Sequence, residues 1–194
     1  MTLIKVDPVS VRQYGDKAQT SFGEIRARLQ QLSDDVVSVN YEGVNAADFK
    51  KRTGQIAAQF SMNLVKDMGA MAEAVRVSTT NIAGSLGGSP ISIQVNGSPI
   101  TPHDVTAADF SQVETSALEA LKGTITAHFS TVTGKLEEHK AALVSTIWEG
   151  TAKTNAVTAV GQLTTAATTK AEETQRALLN AIDAQVQATL KADA

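Results

Sequence analysis

No cysteine occurs in the 194 residues of this chain. Disulfides, thiolate nucleophiles and cysteine metal ligands are therefore excluded, and the redox compartment stays open. Aromatic residues make up only 4% of the sequence, little for a globular enzyme but enough for a long helical bundle. No apolar run approaches the ~18 residues that a transmembrane helix needs, so no stable membrane insertion is expected. The opening Met1-Thr2-Leu3-Ile4-Lys5-Val6-Asp7-Pro8 lacks a charged segment followed by a long apolar run, so no Sec leader is expected. An excess of basic charge is also missing: 17 basic residues face 20 acidic ones, for a net charge of −3. That balance gives no electrostatic reason to expect nucleic acid, and nothing resembles a basic amphipathic membrane helix. There is no phosphate-cradling glycine loop and no His-Glu-x-x-His. An enzyme is not expected, nor is any cofactor.

What is present is a repeat. Trp148-Glu149-Gly150 holds the only tryptophan, and Tyr41-Glu42-Gly43 echoes it with the two glycines 107 residues apart. At the same offset Phe22 falls on Phe129, Ser38 on Ser145, and Gly54-Gln55-Ile56 on Gly161-Gln162-Leu163. Val11, Tyr14, Ile25, Leu29 and Val36 fall on Leu118, Leu121, Val132, Leu136 and Leu143. Repeats of this kind mark copies of one supersecondary unit. Each copy reads as a helix, a tight aromatic-Glu-Gly turn and a second helix.

Asp7-Pro8 is a helix start, since aspartate caps exposed N–H groups and proline fits the first position. Val11, Tyr14, Ala18, Phe22, Ile25, Leu29, Leu32, Val36 and Val39 then recur with a mean spacing of about 3.5 residues, the heptad value. Such a helix, roughly 48 Å long, needs a partner along its stripe. Asn40-Tyr41-Glu42-Gly43 ends it, with residues that tolerate positive φ. The second helix carries Phe49, Ile56, Phe60, Leu64, Met68, Met71, Val75 and Ile82 on one face. A short connection makes the two antiparallel. From Gly84 the pattern gives way to linker chemistry. Ile91-Ser92-Ile93-Gln94-Val95 alternates with period two, and Asn96-Gly97 is a hairpin turn signal. Residues 84–106 read either as a small β-hairpin or as an extended linker. The third helix is expected from near Thr106, with Val113, Leu118, Leu121, Ile125, Phe129, Val132, Leu136, Leu143 and Ile147. The fourth, capped by Thr151, is rich in Ala and Thr over residues 152–171. That half buries little apolar area and offers a docking groove; Leu178, Ile182, Val186 and Leu190 restore an ordinary stripe.

The expected organisation is all-α: a first hairpin (1–83), a linker (84–106) and a second hairpin (107–194), forming one four-helix bundle. The other arrangement is two splayed hairpins exchanged between two chains. His128 and His139 lie eleven residues apart on one helix face, about 16 Å from each other, too far to share a metal. With Glu137-Glu138 beside them, a solvated face is the expectation; His103 lies in the linker, and no metal site is expected. Trp148 and Tyr41 read either as apolar plugs closing their hairpins or as recognition elements on turns. The repeated Gly54 and Gly161 suggest close helix crossing.

A helix, aromatic-x-Gly turn and helix of about a hundred residues resembles the WXG family of small type VII secretion substrates. Trp148-Glu149-Gly150-Thr151-Ala152 carries the motif, and Tyr41-Glu42-Gly43 is its divergent copy. The resemblance implies helical hairpins that pair antiparallel into four-helix bundles, exported folded by a membrane ATPase complex, mainly in Actinobacteria and Firmicutes. On that basis the chain is a family dimer fused into one polypeptide, with protein partners from the secretion machinery or a co-secreted helical protein. The turn residues Trp148, Glu149, Gly150, Tyr41, Glu42 and Gly43 would form the secretion motif. The family pairs that turn with a Tyr-x-x-x-Asp/Glu. Here Tyr14 and Tyr41 are the only tyrosines, followed four residues on by Ala18 and Asn45.

Overall fold

The computed structural model describes residues 5–86, 88–89, 92–95 and 98–192. The fold is an all-α four-helix bundle with two small β ladders. In chain order the elements are β1 (Lys5–Val6), α1 (Pro8–Ser38), β2 (Tyr41–Glu42), α2 (Val44–Leu86), β3 (Gln112–Val113), α3 (Thr115–Val144), β4 (Trp148–Glu149) and α4 (Thr151–Ala192).

The helix ends follow from local chemistry. Asp7 Oδ1 accepts the Val9 N–H at 2.9 Å, and α1 opens on Pro8. All nine residues of the first stripe are buried. Gly43 and Gly150 adopt φ of 108° and 113°, the only positive values among the described residues. A side chain is strained there, so glycine is what lets each turn form. The third helix starts at Thr115 rather than near Thr106. Gln112–Val113 is drawn out as a strand, and the Glu114 carbonyl accepts the Ala117 and Leu118 N–H groups that open the helix.

In the linker, residues 92–95 and 98–100 form no strand, and the Asn96-Gly97 turn lies outside the described residues. The β structure of the molecule sits instead at the turns. β1 pairs antiparallel with β4, Lys5 opposite Glu149 and Val6 opposite Trp148. β2 pairs antiparallel with β3, Tyr41 opposite Val113 and Glu42 opposite Gln112. Ile93 and Ile100 are buried, and the Ile100 N–H donates to Ser61 Oγ at 3.0 Å.

Two compact units are distinguished, each built from a segment of all four helices. The first holds residues 1–25, 63–98 and 133–169. Its core is Val11, Tyr14, Phe22, Met68, Met71, Leu143 and Trp148, completed by the small Ala156, Val160, Thr164 and Ala167 of α4. The second holds residues 26–62, 99–132 and 170–194. Its core is heavier in rings and leucines, with Phe49, Phe60 and Phe129 beside Leu29, Leu32 and Leu178; the Phe60 and Phe129 rings lie 5.5 Å apart. Ile147 and Leu190, expected on apolar stripes, are exposed. Ile147 belongs to a turn and contributes its backbone, while Leu190 falls in the last turns of α4.

Candidate functional site: the two aromatic-Glu-Gly turns

Each turn is held by the segment that precedes the first helix of the other repeat. At the second turn, the Asp7 N–H donates to the Ile147 carbonyl at 2.8 Å. At the first, the Glu114 N–H donates to the Asn40 carbonyl at 3.2 Å. These four residues are pairwise equivalent at the 107-residue offset, as are the two ladders. Within the turns, the Tyr41 N–H donates to the Val39 carbonyl and the Trp148 N–H to that of Thr146, at 2.8 and 2.9 Å.

The motif residues divide by role. Trp148 is 1% exposed and Tyr41 6%, so both rings are plugs, not exposed recognition elements. The Tyr41 hydroxyl donates to Gln185 Oε1 at 2.8 Å, whereas Trp148 Nε1 has no partner among the described residues. Burial pushes the Tyr41 phenol above its ordinary pKa. Gly43 is doubly constrained: beyond its φ, an added Cβ would sit 2.8 Å from Ser111 Oγ and 3.1 Å from the Phe110 carbonyl. Glu42 accepts an ion pair at 3.3 Å from Lys50, whose side chain is 5% exposed. Glu149 is exposed. The second turn is braced by Lys153, which donates to the Val144 and Thr146 carbonyls at 2.8 and 2.7 Å. A cation on the last carbonyls of a helix also meets the negative end of its dipole.

His128 and His139 do not lie on a solvated face. His139 is 1% exposed and His128 7%. His139 sits three residues after Leu136 and four before Leu143, squarely on the α3 stripe, which is why it turns inward. Its Nε2 lies 2.6 Å from the Tyr14 hydroxyl, its ring packs against Phe22 with centroids 4.8 Å apart, and its Nδ1 has no partner among the described residues. Burial lowers its pKa to about 4 and holds the Tyr14 phenol well above the ordinary range. His128 pairs with Asp35 at 2.7 Å, and His103 with Asp34 at 2.7 Å. The hydrogen bond from His103 is the main cause holding the Asp34 carboxyl below its usual pKa. Among the described residues no group of three or more His, Asp or Glu is placed to hold a metal.

The repeated glycines do not mark a helix crossing. A Cβ on Gly54 would touch Pro102 at 3.6 Å and one on Gly161 would touch Lys140 Cε at 3.9 Å, both ordinary contacts. Gly161 instead floors a shallow groove of about 550 Å³ shared by Lys140, Val157, Thr158 and Thr165. Its lining combines Val157 and Ala166 with Lys140, Gln162 and two threonines and is apolar over most of its area. Among the described residues no helix is long and apolar enough to cross a membrane.

No family model, no curated protein and no solved structure matches this chain.

Proposed function

We propose that this chain is a non-enzymatic, type VII secretion-associated protein: two WXG-like hairpins fused in one polypeptide and acting through helical protein–protein contacts. The observation that carries the reading is the reciprocal bracing of the turns. Each aromatic-Glu-Gly turn is paired to the leading segment of the other repeat, by equivalent residues in equivalent registers. Two subunits of a symmetric dimer contact each other in this isologous way, so the fold is what a fused pair would adopt. The motif chemistry also fits: an aromatic plug, a glycine at positive φ and a carboxylate between them.

In this reading the protein partner belongs to the secretion machinery or is a co-exported helical protein, and export is independent of Sec. Burial of Trp148 leaves Glu149 and the turn backbone as the groups a partner can touch. The test is export from a host that carries a type VII system. Culture filtrate and lysate are compared for the wild type, for Glu149→Lys and for a strain without the export ATPase. ATPase-dependent appearance in the filtrate, reduced by Glu149→Lys, supports the reading; retention in every strain refutes it.

A second reading is an adaptor bundle that stays in the cytosol. Its motivation is that neither Tyr14 nor Tyr41 has an acidic residue four positions on. Retention together with capture of a defined cytosolic partner would favour it.

A further inference from the structure

The two units carry equivalent cavities beside their aromatic plugs, and the two differ in a way that points to a ligand. The first, of about 300 Å³, lies in the first unit between the start of α1, the end of α2 and the Trp148 turn. The second, of about 270 Å³, lies in the second unit beside Tyr41. Val6, Ile82 and Trp148 line the first, and Val113, Thr189 and Tyr41, their equivalents at the 107-residue offset, line the second.

In the second cavity the polar groups are matched. The Tyr41 hydroxyl is bonded to Gln185, and Glu42 is paired with Lys50. In the first cavity one charged group is not matched. Arg12, which lines the cavity, has no ion-pair or hydrogen-bond partner among the described residues. Among the described residues no acidic side chain lines this cavity, and Val6, Val11, Ile82 and Trp148 make most of its wall apolar. A guanidinium is built to take a carboxylate in two hydrogen bonds. Ligand pockets run from roughly 300 Å³ upward, so only a small molecule fits.

We propose that this cavity binds a small monocarboxylate with an apolar body, the carboxylate on Arg12 and the hydrocarbon against Val11, Ile82 and the Trp148 ring. This is a binding activity beyond the secretion reading and does not depend on it.

Trp148 is the only tryptophan, so its emission reports the cavity directly. The full chain is titrated with hexanoate, hexan-1-ol and hexylammonium, with heats of binding measured in parallel. The proposal expects a saturable change with hexanoate and a weaker one with the alcohol. Arg12→Gln, at an exposed position, should weaken hexanoate roughly tenfold or more and leave hexan-1-ol unchanged. Ala83→Phe, which fills the cavity, should abolish both responses. No saturable response to hexanoate overturns the proposal. So does equal hexanoate binding by Arg12→Gln, equal binding of hexylammonium, or undiminished binding by an Ala83→Phe chain that remains folded.

Discussion

Mild acid should loosen this protein through one side chain, His139. In the folded chain its Nε2 meets the Tyr14 hydroxyl at 2.6 Å, its Nδ1 has no partner among the described residues, and its pKa is lowered from 6.5 to about 4 by burial. Protonation makes both ring nitrogens donors and places a positive charge in the interior, where Nδ1 has no acceptor among the described residues. The sign follows from linkage. Between pH 6.5 and 4 the unfolded chain holds more protons at this position than the folded one, so stability falls as pH falls through that window. At about 1.36 kcal/mol per pKa unit, the loss between pH 7 and 4.5 is about 2 kcal/mol. Urea unfolding followed by circular dichroism at steps of pH measures it. The double variant Tyr14→Phe with His139→Leu removes the titrating group without stranding its partner, and should flatten the slope in that window. Carboxylates held below their usual pKa, such as Asp34 by His103 and Glu114 by Asn40 and Ser116, act differently. Their stabilisation is present above the unfolded carboxylate pKa and is lost only as pH falls through their lower folded values. An imidazole signal of His139 titrating near 6.5, or a pH slope unchanged in the double variant, would refute the reasoning.

Other perturbations discriminate among the parts of the fold. Gly43→Ala and Gly150→Ala should each cost at least ~1 kcal/mol through the positive φ. Gly43→Ala should cost more, since its Cβ meets Ser111 and the Phe110 backbone; urea midpoints decide the order. Glu42→Gln strands the buried Lys50 ammonium, whereas Glu149→Gln alters an exposed group. With Glu42 itself 40% exposed, the first change should cost about 1 kcal/mol and the second should leave the thermal midpoint unmoved. Phe60→Ala removes a ring packed on Phe129 and should destabilise by ~3–5 kcal/mol, read in the same denaturant assay.

Much of this was legible in the sequence because the helices are long and amphipathic. The first stripe, from Val11 to Val39, is buried at every position named from spacing alone, and the 107-residue offset maps one turn's hydrogen bonds onto the other's. The ladders were not legible, since two-residue strands such as Lys5–Val6 carry no periodicity. For the same reason the apolar spacing carries the third helix through Gln112–Val113, whereas that pair joins the first turn and α3 starts at Thr115. Polarity and acidic neighbours point His139 outward, although its spacing from Leu136 and Leu143 marks it as interior. Trp148 and Tyr41 left two roles open in the sequence, and burial decided for the plug. Arg12 gave no signal at all: only its place at the cavity and its lack of a partner among the described residues single it out.

The central claim is that the two repeats brace each other's turns within one chain. Val6 with Trp148, and Val113 with Tyr41, sit directly opposite in antiparallel ladders. Each is flanked by an N–H to carbonyl bond at the next pair, from Asp7 to Ile147 and from Glu114 to Asn40. They are thus the closely spaced pairs, with Cα atoms about 4.5 Å apart. Proton NMR of the labelled protein should show strong Hα–Hα cross-relaxation between Val6 and Trp148 and between Tyr41 and Val113. In a mixture of labelled and unlabelled chains, both signals should stay within a chain. Absence of both, or their appearance only between chains, would contradict the account.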